Sequence, residues 1–295
     1  MRTYFDEIRS NKIKSVILIS LFILIVGFLG AFIGVMYQNT YAGLAIALTI
    51  SIIYSLIAYH SGSSMINSMT GAKPVTKKEY PHLYHTIEGI ALAAGIPTPK
   101  AYVIDDSALN AFATGTKPEN ASITVTTGLL KVMNREELEG VIGHEMSHIK
   151  NYDIRFMLLT AVLVGIVTLL SDFFLRSIIY SRGNKREGGN AILILIGLAL
   201  AILAPIIGEL IKLAVSRRRE FLADANGAAL TRYPPGLANA LKKISKDPDP
   251  LVDKANKATA HLFISTPFRN KKGFVMNLFA THPPINERIK RLEEL

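Results

Sequence analysis

The sequence predicts a mainly α-helical membrane protein with up to four transmembrane helices and a polar α+β domain that contains a small sheet. Three observations lead there. No Lys, Arg, Asp or Glu occurs from Ser15 to Ala72. Two further apolar segments, Phe156–Leu175 and Ala191–Leu213, appear later in the chain. Around them lie polar blocks whose turn residues and short β-prone runs belong to a folded domain.

The uncharged stretch is too long for one buried helix. A bilayer core about 30 Å thick needs roughly 20 apolar residues per helix, so two spans are expected, near Val16–Met36 and Ala42–Tyr59, joined by the polar turn Tyr37–Tyr41. The first apolar run exceeds the core of a signal peptide, and no small-residue cleavage motif follows it; it reads as an uncleaved anchor. Lys and Arg precede the first span, are absent from the turn and return after the second. By the positive-inside rule, the N-terminus and the region after residue 60 are therefore expected in the cytoplasm of a cell (inner or plasma) membrane protein. Gly30 and Gly34 form a GxxxG step, a pattern that serves helix dimers but is frequent in spans generally.

The expected organisation is a cytoplasmic N-terminus at 1–14, two transmembrane helices at 15–60, a first part of the polar domain at 61–155, a transmembrane hairpin at 156–213 and a second part of that domain at 214–295. Within the first part, Pro81–Ala94 reads as a helix stopped by Gly95 and Ile96–Pro99, and Ala101–Ile104 and Ser122–Thr126 read as strands. Asn134 is placed to cap a helix running to about Asn151, with Glu136, Glu137 and Glu139 near its positive end. The hairpin is less regular: Asp172, Glu209 and Lys212 interrupt its apolar segments, and its connection, Ser181–Arg186, is basic. The two segments either span or form a hairpin partly buried in protein; spanning is favoured by length. A helix is also expected over Asn286–Leu292.

The chain has 295 residues, no Cys and no Trp, and a net charge of +10. Disulfide frameworks and Cys-ligated metals are excluded. The basic residues gather beside the apolar spans and no nucleic-acid-binding pattern accompanies them, so membrane orientation explains the charge and no nucleic-acid partner is expected.

The chemistry concentrates in His144-Glu-Met-Ser-His148. Two histidines four apart on a helix project from one face and can share one Zn²⁺. Glu145 lies about 100° around the helix, beside the metal, where a carboxylate can act as general base. The alternative, an amphipathic helix with two surface histidines, is opposed by the apolar residues Leu138, Val141, Ile142 and Ile149 around the motif. A catalytic site needs a third protein ligand and an open fourth position. Asp153, Glu220, Asp224, His261 and His282 are the candidates. Glu220 and Asp224 are again four apart, a spacing that suits one carboxylate on the metal and one bonding the free nitrogen of a ligand histidine. An ordinary solvated acidic face has the same spacing.

The order of His144-Glu-Met-Ser-His148, Glu220-Phe-Leu-Ala-Asp224 and Thr281-His-Pro-Pro284 resembles the HtpX family of membrane zinc endopeptidases, relatives of the eukaryotic CAAX prenyl endopeptidases. The resemblance covers nearly the whole chain. It implies a gluzincin-type zinc protease domain with one Zn²⁺ held by His144, His148 and Glu220, Glu145 as base, and Asp224 supporting a ligand histidine. It also implies that His282 stands near the substrate and helps stabilise the oxyanion. Asn110-Ala-Phe-Ala-Thr114 resembles the family's segment beside the cleft, which implies substrate contacts at Asn110, Ala111 and Phe112. The Ser122–Thr126 strand is a candidate for pairing with an extended peptide.

The expected activity is thus zinc-dependent endoproteolysis of misfolded or damaged membrane proteins, a quality-control and stress-response role. Two rivals remain. A prenyl-protein endopeptidase shares the motif but is built with seven spans, more than this chain offers. A non-catalytic adaptor with structural zinc would have no use for Glu145. Oligomeric state is left open.

Overall fold

A computed structural model describes residues 4–36, 38–163, 165, 217–247, 259, 262–264 and 283–295. The expected span at 191–213 lies outside these residues, as do His261, His282 and all of the expected span at 156–175 beyond residue 165. The described chain is mostly helical, with a small mixed sheet.

The charge-free stretch forms two long helices, α1 (Tyr4–Met36) and α2 (Thr40–Thr70). Both are long and apolar enough to cross a membrane. They turn over at Gln38, which adopts a left-handed φ of 56°. Asn39 then caps α2 by accepting a hydrogen bond from the Ala42 amide. Gly30 and Gly34 lie against Gly43, where any Cβ would collide with backbone of the opposite helix. The GxxxG step therefore closes this hairpin within one chain.

At 33 and 31 residues and about 1.5 Å per residue, the helices outrun a hydrocarbon core about 30 Å thick. The spans expected from hydropathy are shorter because apolarity ends where the bilayer does, whereas the helices continue onto the polar domain. There, Asn67 of α2 donates to Ser122 Oγ (3.3 Å) and accepts from Thr124 Oγ1 (3.3 Å). Asn11 of α1 is likewise buried among polar partners.

The sheet contains β1 (Lys73–Pro74), β2 (Lys100–Ile104), β3 (Ala111–Thr114) and β4 (Ser122–Thr126), in the order β1-β2-β4-β3. β2 and β4 run parallel, while β3 pairs antiparallel to β4 with Phe112 opposite Thr124. β4 is thus interior, paired on both sides and closed to a further strand. The expectation that Ser122–Thr126 receives an extended peptide is corrected: the edge beside β4 belongs to β3.

Helix α3 (Pro81–Ala94) begins on Pro81 and stops at a left-handed Gly95. The short α4 (Thr127–Val132) leads to α5 (Arg135–Lys150). α5 opens with a capping box in which Asn134 Oδ1 accepts from the Glu137 amide (2.9 Å) and Glu137 Oε2 accepts from the Asn134 amide (2.8 Å). Every residue of α5 from Gly140 to Ile149 is buried. It runs between β3, α3, α6 (Arg217–Thr231) and α7 (Pro234–Ser245), and α8 (Ile285–Glu293) closes over α6 and α7.

Two apolar cores flank this central helix. One joins Leu83, Ile87, Ile123, Val141, Ile142, Leu237 and Leu241 inside the polar domain. The other joins Leu18, Ala58 and Ile66 of the long hairpin to Phe112, Phe156, Leu158 and Phe263. The second core couples the membrane hairpin to the domain that carries the histidines.

Candidate active site

His144 and His148 lie one turn apart on α5, 1% and 4% exposed. Their Nε2 atoms approach to 3.2 Å. Glu220, on the first turn of α6, brings its carboxylate to 3.7 Å from His144 Nε2 and 3.5 Å from His148 Nε2. All three ligand atoms fall within 4.8 Å of one another. Donors about 2.0–2.1 Å from a tetrahedral ion stand about 3.3–3.4 Å apart. The observed separations fit one such ion.

Glycine makes the meeting of α5 and α6 possible. A Cβ on Gly227 would lie 2.8 Å from the His144 amide nitrogen, and one on Gly143 3.0 Å from the Gly227 carbonyl oxygen. With hydrogens at both positions the helices approach backbone to backbone. Asp224 and Glu220, about one and two turns upstream of Gly227, then reach the imidazoles.

Each imidazole is oriented from behind. His144 Nδ1 donates to Asp224 Oδ1 at 2.9 Å, and His148 Nδ1 donates to Asp153 Oδ2 at 3.0 Å. A proton held on Nδ1 leaves the Nε2 lone pair facing the common centre, the state a metal requires. Asp153, one of the open candidates for third ligand, instead bonds the outer nitrogen of His148. The chain reaches it through Tyr152, held at a left-handed φ of 60° immediately after the α5 cap.

The charges follow from these contacts. Burial disfavours ionisation of Asp224, but Arg288 and His144 outweigh it and hold the carboxyl well below its usual range. Burial also disfavours a charged His148, yet the hydrogen bond to Asp153 and the charges of Glu220, Asp153 and Glu145 raise its pKa to about 9. Glu145 is 2% exposed. Burial pushes its carboxyl up, against the pull of His144 and His148 and of a hydrogen bond from the Ala113 amide. A carboxylate moved towards neutral pH is a stronger base.

Sequence reasoning missed Arg288. This residue of α8 is 1% exposed. It grips Asp224 through Nε (2.9 Å) and Nη2 (2.7 Å) and donates from Nη1 to the Ile264 carbonyl (3.0 Å). A signal existed, because Arg288 falls on the apolar stripe of Ile285, Ile289 and Leu292. A cation on a buried face needs a buried anion.

Around the centre, β3 lies beside Glu145. Asn110 Oδ1 accepts from the Ala111 amide (3.1 Å), and the Ala111 carbonyl accepts from the Ile264 amide (2.9 Å). The Phe112 side chain turns into the second core, edge-on to Phe263 with centroids 5.0 Å apart. The structure thus brings His144, Glu145, His148, Glu220, Asp224 and the backbone of Ala111–Thr114 together. His282 lies outside the described residues.

Comparison with known proteins agrees with this geometry. A profile of peptidase family M48 matches residues 77–295. A protease HtpX homolog of Dictyoglomus thermophilum is 47% identical over 98% of this chain and 94% of its own. One from Streptococcus mutans is 44% identical over 99% of both chains. Among solved structures, the crystal structure of S. mikatae Ste24p shares the fold with a TM-score of 0.51 at 19% identity, over 96% of this chain and 66% of that longer one. With the family profile spanning both halves of the site and HtpX relatives matching end to end, the chain belongs to peptidase family M48 and is a membrane metalloprotease of the HtpX type.

Proposed function

We propose that the protein is a zinc endopeptidase that cleaves misfolded or damaged membrane proteins at the cytoplasmic face. The observation that carries this reading is the convergence of His144 Nε2, His148 Nε2 and the Glu220 carboxylate within 4.8 Å, with Glu145 buried beside them. Two imidazoles, one carboxylate and near-tetrahedral separations suit Zn²⁺. Bound there, the ion lowers the pKa of a coordinated water and polarises the scissile carbonyl.

The chain's own groups do the rest. Glu145 takes the proton of the attacking water and delivers it to the departing amine nitrogen. Asp224 and Asp153 hold the imidazoles in the ligand tautomer. An extended substrate passes beside β3, with Asn110, Ala111 and Phe112 contributing contacts. His282 steadies the oxyanion. Two further spans, within 156–175 and 191–213, return the chain to the side of α5, so that Glu220 meets the histidines on the cytoplasmic side. The expected partners are protein or peptide substrates and the bilayer, and no nucleic acid.

The test is proteolysis of an unfolded membrane protein by the purified enzyme. A chelator abolishes cleavage and Zn²⁺ restores it. Glu145→Gln retains the metal but loses about 10²–10⁴-fold in rate. Chelator-resistant cleavage, or a fully active Glu145→Gln, overturns the mechanism. A strict requirement for a farnesylated substrate would favour a prenyl-protein endopeptidase instead.

A further inference from the structure

The N-terminal end of α1 reaches the rear of the metal site. Asn11 is 0% exposed although it sits at the start of a membrane helix. Its Nδ2 donates to Asp153 Oδ1 at 2.6 Å and to the Asn151 carbonyl at 3.0 Å. One residue on, Lys12 Nζ lies 4.5 Å above the Tyr152 ring. Three consecutive residues, the α5 cap Asn151 and the two that follow it, are therefore held by two consecutive residues of α1. The other oxygen of Asp153, Oδ2, receives the Nδ1 proton of His148. Besides Asn11, the Oδ1 side faces Arg219 Nη1 at 3.6 Å.

A carboxylate bonded through one oxygen can rotate about its own axis. Bonded through both, it presents Oδ2 to His148 in one orientation. The amide of Asn11 supplies the second anchor, at a buried position where a hydrogen bond is stronger than in water. We propose that Asn11 is a positioning residue of the metal site: by fixing the Asp153 carboxylate it fixes the tautomer and ring angle of His148, so that the first membrane helix is a built part of the catalytic centre. Removing the anchor acts on metal binding with the three ligands left in place. Outer partners of metal-ligating histidines typically change metal affinity or activity by about 10–100-fold.

This inference rests on His148 being a ligand, as proposed above. Its test uses the full-length protein in lipid nanodiscs with Co²⁺ as a spectroscopic probe. Wild-type protein binds one Co²⁺ with a tetrahedral visible spectrum; failure of that step refutes the metal-site reading itself. Asn11→Leu is expected to shift the visible bands and raise the Co²⁺ dissociation constant about 10–100-fold. Asn11→Ala, which adds no bulk, carries the same comparison should the leucine variant not fold. Ser15→Ala, a buried change one turn along α1 that leaves Asp153 untouched, keeps the wild-type spectrum. In an Asp153→Asn background the Asn11 substitution has little further effect, because the two act through one path. An unchanged spectrum and affinity in both Asn11 variants overturns the proposal. So do losses that multiply in the double variant, because they would assign Asn11 to helix packing alone.

Discussion

Replacing Gly227 by Ala tests the idea that the metal centre exists because two helices touch. The added Cβ would lie 2.8 Å from the His144 amide nitrogen and 2.9 Å from the Gly143 carbonyl carbon. Ordinary contact begins near 3.4 Å, so α5 and α6 must part by about 0.6 Å, and neither atom is the tip of a flexible side chain that could swing away. Metal–ligand distances tolerate only about ±0.2 Å. A shift three times larger, applied to the helix that carries Glu220, detaches that carboxylate from any ion held by the two histidines. Overpacking costs about 1–3 kcal/mol, and metal affinity should fall by at least tenfold. Chelator competition on the purified enzyme measures the affinity, and a thermal melt with and without metal measures the stability. Gly89→Ala is the control. It lies in α3 with nothing within 4 Å of an added Cβ, so gaining Ala in a helix should stabilise by about 0.5–1 kcal/mol. A Gly227→Ala enzyme with wild-type metal affinity would refute the close-contact argument.

Other consequences can be measured alongside. Arg288→Met leaves Asp224 buried without its two-pronged partner, and breaking a buried pair from one side costs about 3–5 kcal/mol; a thermal-shift loss equivalent to less than about 1 kcal/mol would contradict the assignment. His148, raised to about 9 without metal, must shed a proton before it can bind an ion, so apparent metal affinity should climb on the order of tenfold per pH unit from neutrality and level off near pH 9. The same shift has a stability consequence of fixed sign. The charged imidazole stabilises the metal-free fold in full below its ordinary pKa of 6.5 and ceases to as pH rises through about 9. Melting temperature in chelator should therefore decline across that window, and a flat or rising profile would count against the Asp153 and Glu220 contacts.

The readable parts of this fold are the ones whose causes are local. The long uncharged stretch, the Asn134 cap, the Gly95 stop and the His144/His148 spacing each depend on residues within a turn or two. Interior burial of β4 was not readable, because the partner that covers its second side, β3, is a run of only four residues. The reach of α1 and α2 past the bilayer was not readable either: hydropathy reports where lipid ends, whereas Asn11 and Asn67 are ordered by partners more than 50 positions away. Within the site, the motif histidines announce themselves and Asp153 lies only five positions from His148, but Arg288 acts on Asp224 from 64 positions away. Both lay in plain sight as polar residues beside apolar stripes. Gly143 and Gly227 carry no chemistry, and their importance appears only once the two helices are seen to cross at them.

The central claim is that two imidazoles of α5 and one carboxylate of α6 bind the same ion and leave a position for water. X-ray absorption spectroscopy of the zinc-loaded wild type beside Glu220→Gln addresses it most directly. The wild type should show one Zn²⁺ per chain with two imidazole nitrogens and two oxygens, one from water, and the variant should lose ion occupancy or oxygen scattering. Four protein ligands with no water, or a coordination shell unchanged by Glu220→Gln, would contradict it.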